Sequence, residues 1–318
     1  MRCSLTPCRL GMLLWLAFAG LAMGFPRGQY QPGSNVTQAA VVESTVAPPF
    51  PIQPPYPFAV GEKLTYEFSF FRFPLAGKLG ELVLSVVPLD EAQAARMTLA
   101  AQFKSENDLC PWPALPSRLA FRAHAQTRGF LPALLRLDIQ NEYLSVVETE
   151  DLGLVYNQRQ LRERQRQRLQ ITCQFRAAGK RTVIDRGHDG TVRCQMLSAR
   201  GWTTDLQTFW YVLRTQPLTP GKVIPMVLTE DDRVYDVPVV VTQDLERIET
   251  EAGSFRARKL ELKAYESGFT RYKGSFLLWV SEDAARLPVR VQFKARGVTV
   301  TGKLVDYTLR PRQQRRST

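Results

Sequence analysis

Residues 62–73 read EKLTYEFSFFRF, with Leu64, Tyr66, Phe68 and Phe70 alternating against Lys63, Thr65, Glu67 and Ser69. Successive side chains of a strand point to opposite faces, so this stretch predicts a half-buried antiparallel strand. KLGELVLSVVP (78–88) follows the break PLAG (74–77) and completes a hairpin. RMTLAAQFKS (96–105), RLAFRAHAQT (118–127) and ALLRLDIQNEYLSVVE (133–148) read as further strands, with TRGFLP (127–132) and RGHDG (186–190) as turns. The later half adds VIPMVLTE (223–230), RVYDVPVVVTQ (233–243), FRARKLELKAYE (255–266), SFLLWVSE (275–282), PVRVQFKA (288–295) and VTVTGKLVDYTL (298–309).

One segment has a different period. In TTDLQTFWYVLRTQPLTPG (203–221), Leu206, Phe209, Trp210 and Leu213 fall at i, i+3, i+4 and i+7, one face of a helix. Thr203, Thr204 or Asp205 can cap its start, and Pro217 and Pro220 mark its end. The expected fold is therefore all-β and mainly antiparallel, a curved sheet or open barrel, with a single amphipathic helix over 204–215 lying across its mouth or open side.

The first 24 residues, MRCSLTPCRLGMLLWLAFAGLAMG, join a basic start to an apolar run that closes on Ala22-Met23-Gly24. This is the form of a secretory signal peptide cleaved near Gly24, and the run is shorter than a spanning helix requires. The mature chain is expected in the periplasm or medium, with no transmembrane segment. Residues 25–57 are rich in Pro, Gln, Ser, Thr and Val and read as a disordered or extended tether. Residues 58–308 form the β-rich domain, and 309–318, LRPRQQRRST, a basic disordered tail. Asn35-Val36-Thr37 has the form of a glycosylation acceptor, relevant only in a eukaryote. The formal charge of +12 falls to +10 when Arg2 and Arg9 leave with the signal.

Cys110, Cys173 and Cys194 then remain, enough for one bridge and one thiol. Nearness in sequence favours Cys173 with Cys194; three buried thiols are the alternative.

FAVGEKLTYEFSF (58–70), DLQTFWYVLRTQPLTPGK (205–222) and LLWVSEDAARLPVRVQFKARGVTVTGKL (277–304) together resemble the start, middle and end of the domain-of-unknown-function 3108 family, exported proteins of Gram-negative bacteria. The positions that carry the resemblance are Gly61, Glu62, Asp205, Arg214, Gly221, Trp279, Ser281, Asp283, Arg286 and Pro288. It implies a β-rich envelope-associated protein and brings no activity, cofactor or catalytic residue with it. The same residues also read as architecture. Asp283 can bond the backbone amides ahead of it in a turn, and Pro288 restrains the following strand. Trp279 should bury its ring and find a partner for its indole N–H. Gly61 opens the first strand, and Gly221 follows Pro220 in a tight turn.

Material for catalysis is thin. There are two histidines: His124 within a strand, and His188 in a turn between Asp185 and Asp189. No Gly-x-Ser-x-Gly elbow, Cys–His arrangement, HExxH or phosphate-cradling loop occurs. Glu230, Asp231, Asp232 and Asp244 could supply paired carboxylates, but sequence does not bring them across a cleft. No metal or cofactor is expected.

LRERQRQRLQ (161–170) spaces Arg162, Arg164, Arg166 and Arg168 so that on one strand all four would leave from the same side. Neither face of such a strand is apolar, which puts it at an edge or in a protruding hairpin. Export argues against nucleic acid, and no aromatics interleave for bases to stack on. The available anions are lipid headgroups, lipopolysaccharide phosphates and acidic polysaccharides, and the planar guanidinium suits phosphate. Two functions stand: a non-catalytic envelope protein binding a lipid or other anionic component, or a hydrolase acting on an envelope glycan or lipid.

Overall fold

The computed structural model describes residues 48, 50–100, 110, 118–230, 233–270 and 273–309. The expected signal peptide, the candidate glycosylation acceptor, most of the expected tether, residues 101–105, Asp231, Asp232 and the arginines of the tail lie outside them.

Among the described residues, fourteen strands and three α-helices follow one another. They are β1 (Lys63–Arg72), β2 (Leu75–Val87), α1 (Leu89–Ala100), β3 (Arg118–Thr127), α2 (Phe130–Leu134), β4 (Ile139–Glu148), β5 (Leu154–Glu163), β6 (Arg166–Phe175), β7 (Lys180–Arg186) and β8 (Val192–Ser198). Then come α3 (Leu206–Thr215), β9 (Val223–Glu230), β10 (Arg233–Thr250), β11 (Gly253–Leu262), β12 (Gly274–Ser281), β13 (Pro288–Ala295) and β14 (Val298–Thr308). All strands join one antiparallel sheet in the order β8-β7-β6-β5-β4-β3-β2-β1-β14-β13-β12-β11-β10-β9. The two halves of the chain are two meanders, joined in the middle where β1 pairs with β14. The all-β expectation therefore holds.

Bulges bend the sheet. Pairing slips between Thr65 and Tyr66 against β14, between Phe68 and Ser69 against β2, and between Val241 and Leu245 against β11. Each extra residue increases local twist and curls the strand. The concave face collects Tyr66, Phe68, Phe70, Phe121, Tyr143, Val241, Leu260 and Val300. Gly302 lets the sheet close on this core: a Cβ there would come within 2.6 Å of the Phe68 ring and 2.9 Å of Val291.

Helix α3 lies against the concave face as its pattern predicts. Tyr211 meets Phe121 at 4.3 Å between ring centroids and Phe58 at 5.0 Å, and Trp210 meets Tyr66 at 5.7 Å. Each such burial contributes about 1.5–3 kcal/mol of apolar transfer. The segment before the helix runs beside β9, with Thr204 bridged to Leu228. A second core on the convex face of β2–β7 gathers Val87, Leu144, Val146, Tyr156, Leu169, Ile171 and Ile184, with Ala92 of α1 packed among them.

Four expectations need correction. There is more than one helix, because residues 96–100 of the expected strand at 96–105 belong to α1. LDEAQAARMTLA is made largely of strong helix formers, and Asp90 accepts from the Glu91 amide at its start. In ALLRLDIQNEYLSVVE only Ile139–Glu148 is strand; Ala133 and Leu134 end helix α2. Residues 161–170 are not one strand but the end of β5, a turn and the start of β6. Finally, the tether gives way to packed chain before residue 58: Ile52 is buried, Phe50 packs edge-on to Trp202 at 5.4 Å, and Tyr56 stacks on Phe58 at 5.2 Å.

Candidate functional site

Most of the family-resembling positions gather at the C-terminal end of α3. Arg214, in the last turn, donates from Nη1 to Glu62 Oε1 at 2.5 Å and from Nη2 to Glu62 Oε2 at 2.9 Å. It also donates to the carbonyls of Ala285 and Pro57, both at 2.9 Å from Nη2, and lies over the rings of Phe58 and Tyr211. Both charged side chains are fully enclosed. Burial pushes the Glu62 carboxyl above its ordinary range, and the Arg214 guanidinium pulls it back. Asp283 Oδ1 accepts from the amides of Ala285 and Arg286, and Ser281 Oγ accepts from the Leu287 amide. That turn presents Arg286 to the carbonyl of Gln216, just past the helix. Gly61 and Gly221 take positive φ of 89° and 80° where the chain turns. Trp279 departs from expectation: Arg290 stacks over its buried ring at 4.6 Å, and its N–H has no hydrogen-bond partner among the described residues. These contacts clamp the helix to the sheet and expose no reactive group.

A second buried network sits at the other end of the helix. Asp205 caps α3, accepting from the Thr208 amide at 2.9 Å, while Thr208 Oγ1 accepts from the Asp205 amide at 3.0 Å. Its second oxygen accepts from Asn157 Nδ2 at 2.7 Å and from Ser145 Oγ, and Gln207 donates to Ser145. Arg159 donates to Asn157 Oδ1 at 3.0 Å and makes a bidentate pair with Glu230 at 2.5 and 2.8 Å. This chain of polar groups fastens β4, β5, α3 and β9 together, and sequence reasoning missed it. The available signal was that Asn157 and Arg159 alternate in phase with Leu161.

The arginine comb is split by its turn. Cross-strand partners share a face, and the pairs are Arg162 with Gln167, Glu163 with Arg166, and Leu161 with Arg168. Arg166 and Arg168 thus share the concave side with Leu161, Arg162 takes the other, and Arg164 occupies the turn with φ 56°. Arg168 is paired with Asp185 at 2.7 and 3.1 Å. Arg164 is held against the loop after α2: its amide donates to the Asp138 carbonyl at 2.7 Å, and its Nε to the Arg136 carbonyl at 2.6 Å. Between them opens a shallow groove of about 510 Å³, lined by Arg128, Arg136, Arg164, Asp138, Thr127, Gly129, Pro132, Ala133 and Leu137. Three guanidiniums and one carboxylate give it a basic character. Arg128 has Glu81 as a neighbour at 3.7 Å.

The bridge joins Cys110 to Cys173, with Cα atoms 5.5 Å apart, and Cys194 is an exposed thiol. The Cys173–Cys194 pairing is excluded by topology. Cys173 on β6 faces Thr182 on β7, and Cys194 on β8 faces Ile184 on β7, so a whole strand separates them. Two strand spacings amount to about 9.5 Å, beyond disulfide reach.

His124 lies at the surface of β3, 3.6 Å from Glu142, and His188 is exposed in the β7–β8 turn. Asp244 is held by Lys259 at 2.6 Å and Glu230 by Arg159. The described residues include no group of three His, Cys, Asp or Glu side chains placed to hold a metal ion, and no helix long and apolar enough to cross a membrane.

Fold and buried clamps together define a single-sheet, barrel-like antiparallel β-protein with a helix seated in its concavity. The chain belongs to the family described as "Protein of unknown function (DUF3108)", which matches residues 115–313. The sequence has no match among curated proteins. Among solved structures it is similar to a beta-barrel-like protein of domain of unknown function DUF1849 from Brucella abortus, at 10% identity and TM-score 0.46, covering 80% of this chain and 99% of that one. It is also similar to a protein with YmcC-like fold, proposed to be exported, from Bacteroides fragilis NCTC 9343, at 10% identity and TM-score 0.28, covering 80% and 98%.

Proposed function

We propose that this protein is exported to the cell envelope, carries out no chemistry there, and binds an anionic component through the basic groove between α2 and the β5–β6 turn. One observation carries the reading: two hydrogen bonds to the 136–138 loop hold Arg164 beside Arg136, with Arg128 lining the same groove. Arginines gathered around an open groove repel one another, and an anion that accepts from several guanidiniums relieves that repulsion. Phosphate groups of lipids or of lipopolysaccharide have the matching charge and geometry. The signal-peptide form of residues 1–24 supports the periplasm as the place of encounter.

The test compares the wild-type chain with Arg128→Gln/Arg136→Gln/Arg164→Gln for binding to lipopolysaccharide and to inorganic phosphate across a salt series. The variant should bind at least about tenfold more weakly, with a flatter salt dependence. Equal affinity and equal slope in the two proteins would remove the groove from the function.

A further inference from the structure

We infer that the end of the sheet carrying this groove docks on a bilayer containing anionic lipid, with Phe73 and Phe130 entering the interfacial layer. This rests on the anion-binding reading of the groove and names its partner.

Neighbouring strands are antiparallel, so alternate connections fall at opposite ends of the sheet. The β1–β2 turn, the β3–β4 connection with α2, and the β5–β6 turn share one end. Among the described residues, the most exposed large apolar side chains lie there. Phe73 is 85% exposed in the first turn and Phe130 82% exposed at the start of α2, with Phe71, Leu75 and Leu134 also open to water. The two phenylalanines belong to one surface, because α2 packs on β2 through Leu131, whose side chain lies 3.4 Å from where a Gly77 Cβ would sit. Single exposed apolar residues are ordinary, whereas several on neighbouring turns form a patch that calls for a partner.

The arginines identify that partner. Arg128 and Arg136 flank α2, and Arg164 is held on the same loop. Apolar tips beside a groove lined by guanidiniums match a layer whose outer surface is phosphate and whose interior is hydrocarbon. A second copy of this chain would bring the same cations face to face and be repelled.

Co-sedimentation with phosphatidylcholine vesicles, and with vesicles that also contain phosphatidylglycerol, tests this. Wild-type protein should sediment with the mixed vesicles and stay in solution with phosphatidylcholine alone. Phe73→Ser/Phe130→Ser alters only exposed side chains; it should keep the fold and the salt slope and lose at least about tenfold in vesicle affinity. A Phe73→Trp probe should shift its emission to the blue on mixed vesicles and be quenched by brominated acyl chains. Unchanged affinity in the serine variant, or an unquenched Trp probe, would overturn the inference. Binding of inorganic phosphate without vesicle binding, or retention only on vesicles that carry an envelope protein, would overturn it and leave the anion reading intact. Binding to none of these probes would end both.

Discussion

Arg214 and Glu62 are 152 residues apart in the chain and form a bidentate ion pair from which water is excluded on every side. The pair joins the last turn of α3 to the start of β1, and the carbonyls of Pro57 and Ala285 complete the arginine's bonding. A buried pair of this kind gives little net stability over apolar residues of the same shape, but breaking it from one side strands a charge. Glu62→Gln should therefore lower unfolding stability by about 3–5 kcal/mol, measured from denaturant midpoints. Glu62→Leu/Arg214→Met should lose less than the sum of the single changes, with a coupling above about 1 kcal/mol. Additive losses would show that the two groups act independently.

The bridge between Cys110 and Cys173 closes a loop of 63 residues. Peptide mapping without reduction should recover that pair and find Cys194 as the alkylated one of the three cysteines Cys110, Cys173 and Cys194 in the native protein. Cys110→Ser/Cys173→Ser should lose about 4 kcal/mol by the loop-entropy rule. A peptide linking Cys173 to Cys194 would contradict the strand order.

Gly302 faces the Phe68 ring across the β1–β14 pair. Gly302→Ala should cost about 1–3 kcal/mol through overpacking, and Phe68→Leu should recover part of that by making room. Thermal denaturation of the single and double variants measures both effects.

Alkaline conditions should destabilise the fold. Burial pushes the Tyr56 phenol up to about 12, helped by Asp151 and Glu150, and burial drives Tyr66, Tyr143 and Tyr211 in the same direction. A raised folded value means that the folded chain holds its protons where the unfolded chain has lost them. Stability is thus complete below about pH 10 and falls as pH rises through about 12. Denaturant midpoints at about pH 8 and about pH 11 should differ in that sense, and Tyr56→Phe should narrow the difference. A midpoint that is flat or rising over that interval would refute it.

The sheet was legible because one of its faces is apolar: Leu64, Tyr66, Phe68 and Phe70 are buried in strict alternation. Helix α3 was legible from its stripe and from Asp205, which does cap it. Helix α1 was not, because its alanines, acids and glutamine form no wide apolar stripe and it meets the second core mainly through Ala92. The turn inside LRERQRQRLQ escaped notice for a chemical reason. It has no Gly, Asn or Pro, and Arg164 takes the left-handed conformation that those residues usually advertise. The disulfide depended on which strand lies between two others, which spacing along the chain does not encode. The same holds for the network of Ser145, Asn157, Asp205 and Gln207, whose members meet only after the helix is in place.

The two borders of the sheet are not equivalent. β9 has the Thr203–Asp205 segment laid along part of it, with hydrogen bonds from the Thr204 amide to Val227 and from the Thr229 amide to Thr204, whereas among the described residues β8 pairs with β7 alone and keeps nearly all its residues in water. Growth of a sheet by recruiting strands from other molecules requires two receptive borders per molecule. β9 is covered only around Leu228, so β8 is the more open border, and pairing of two β8 strands with each other would end at a dimer.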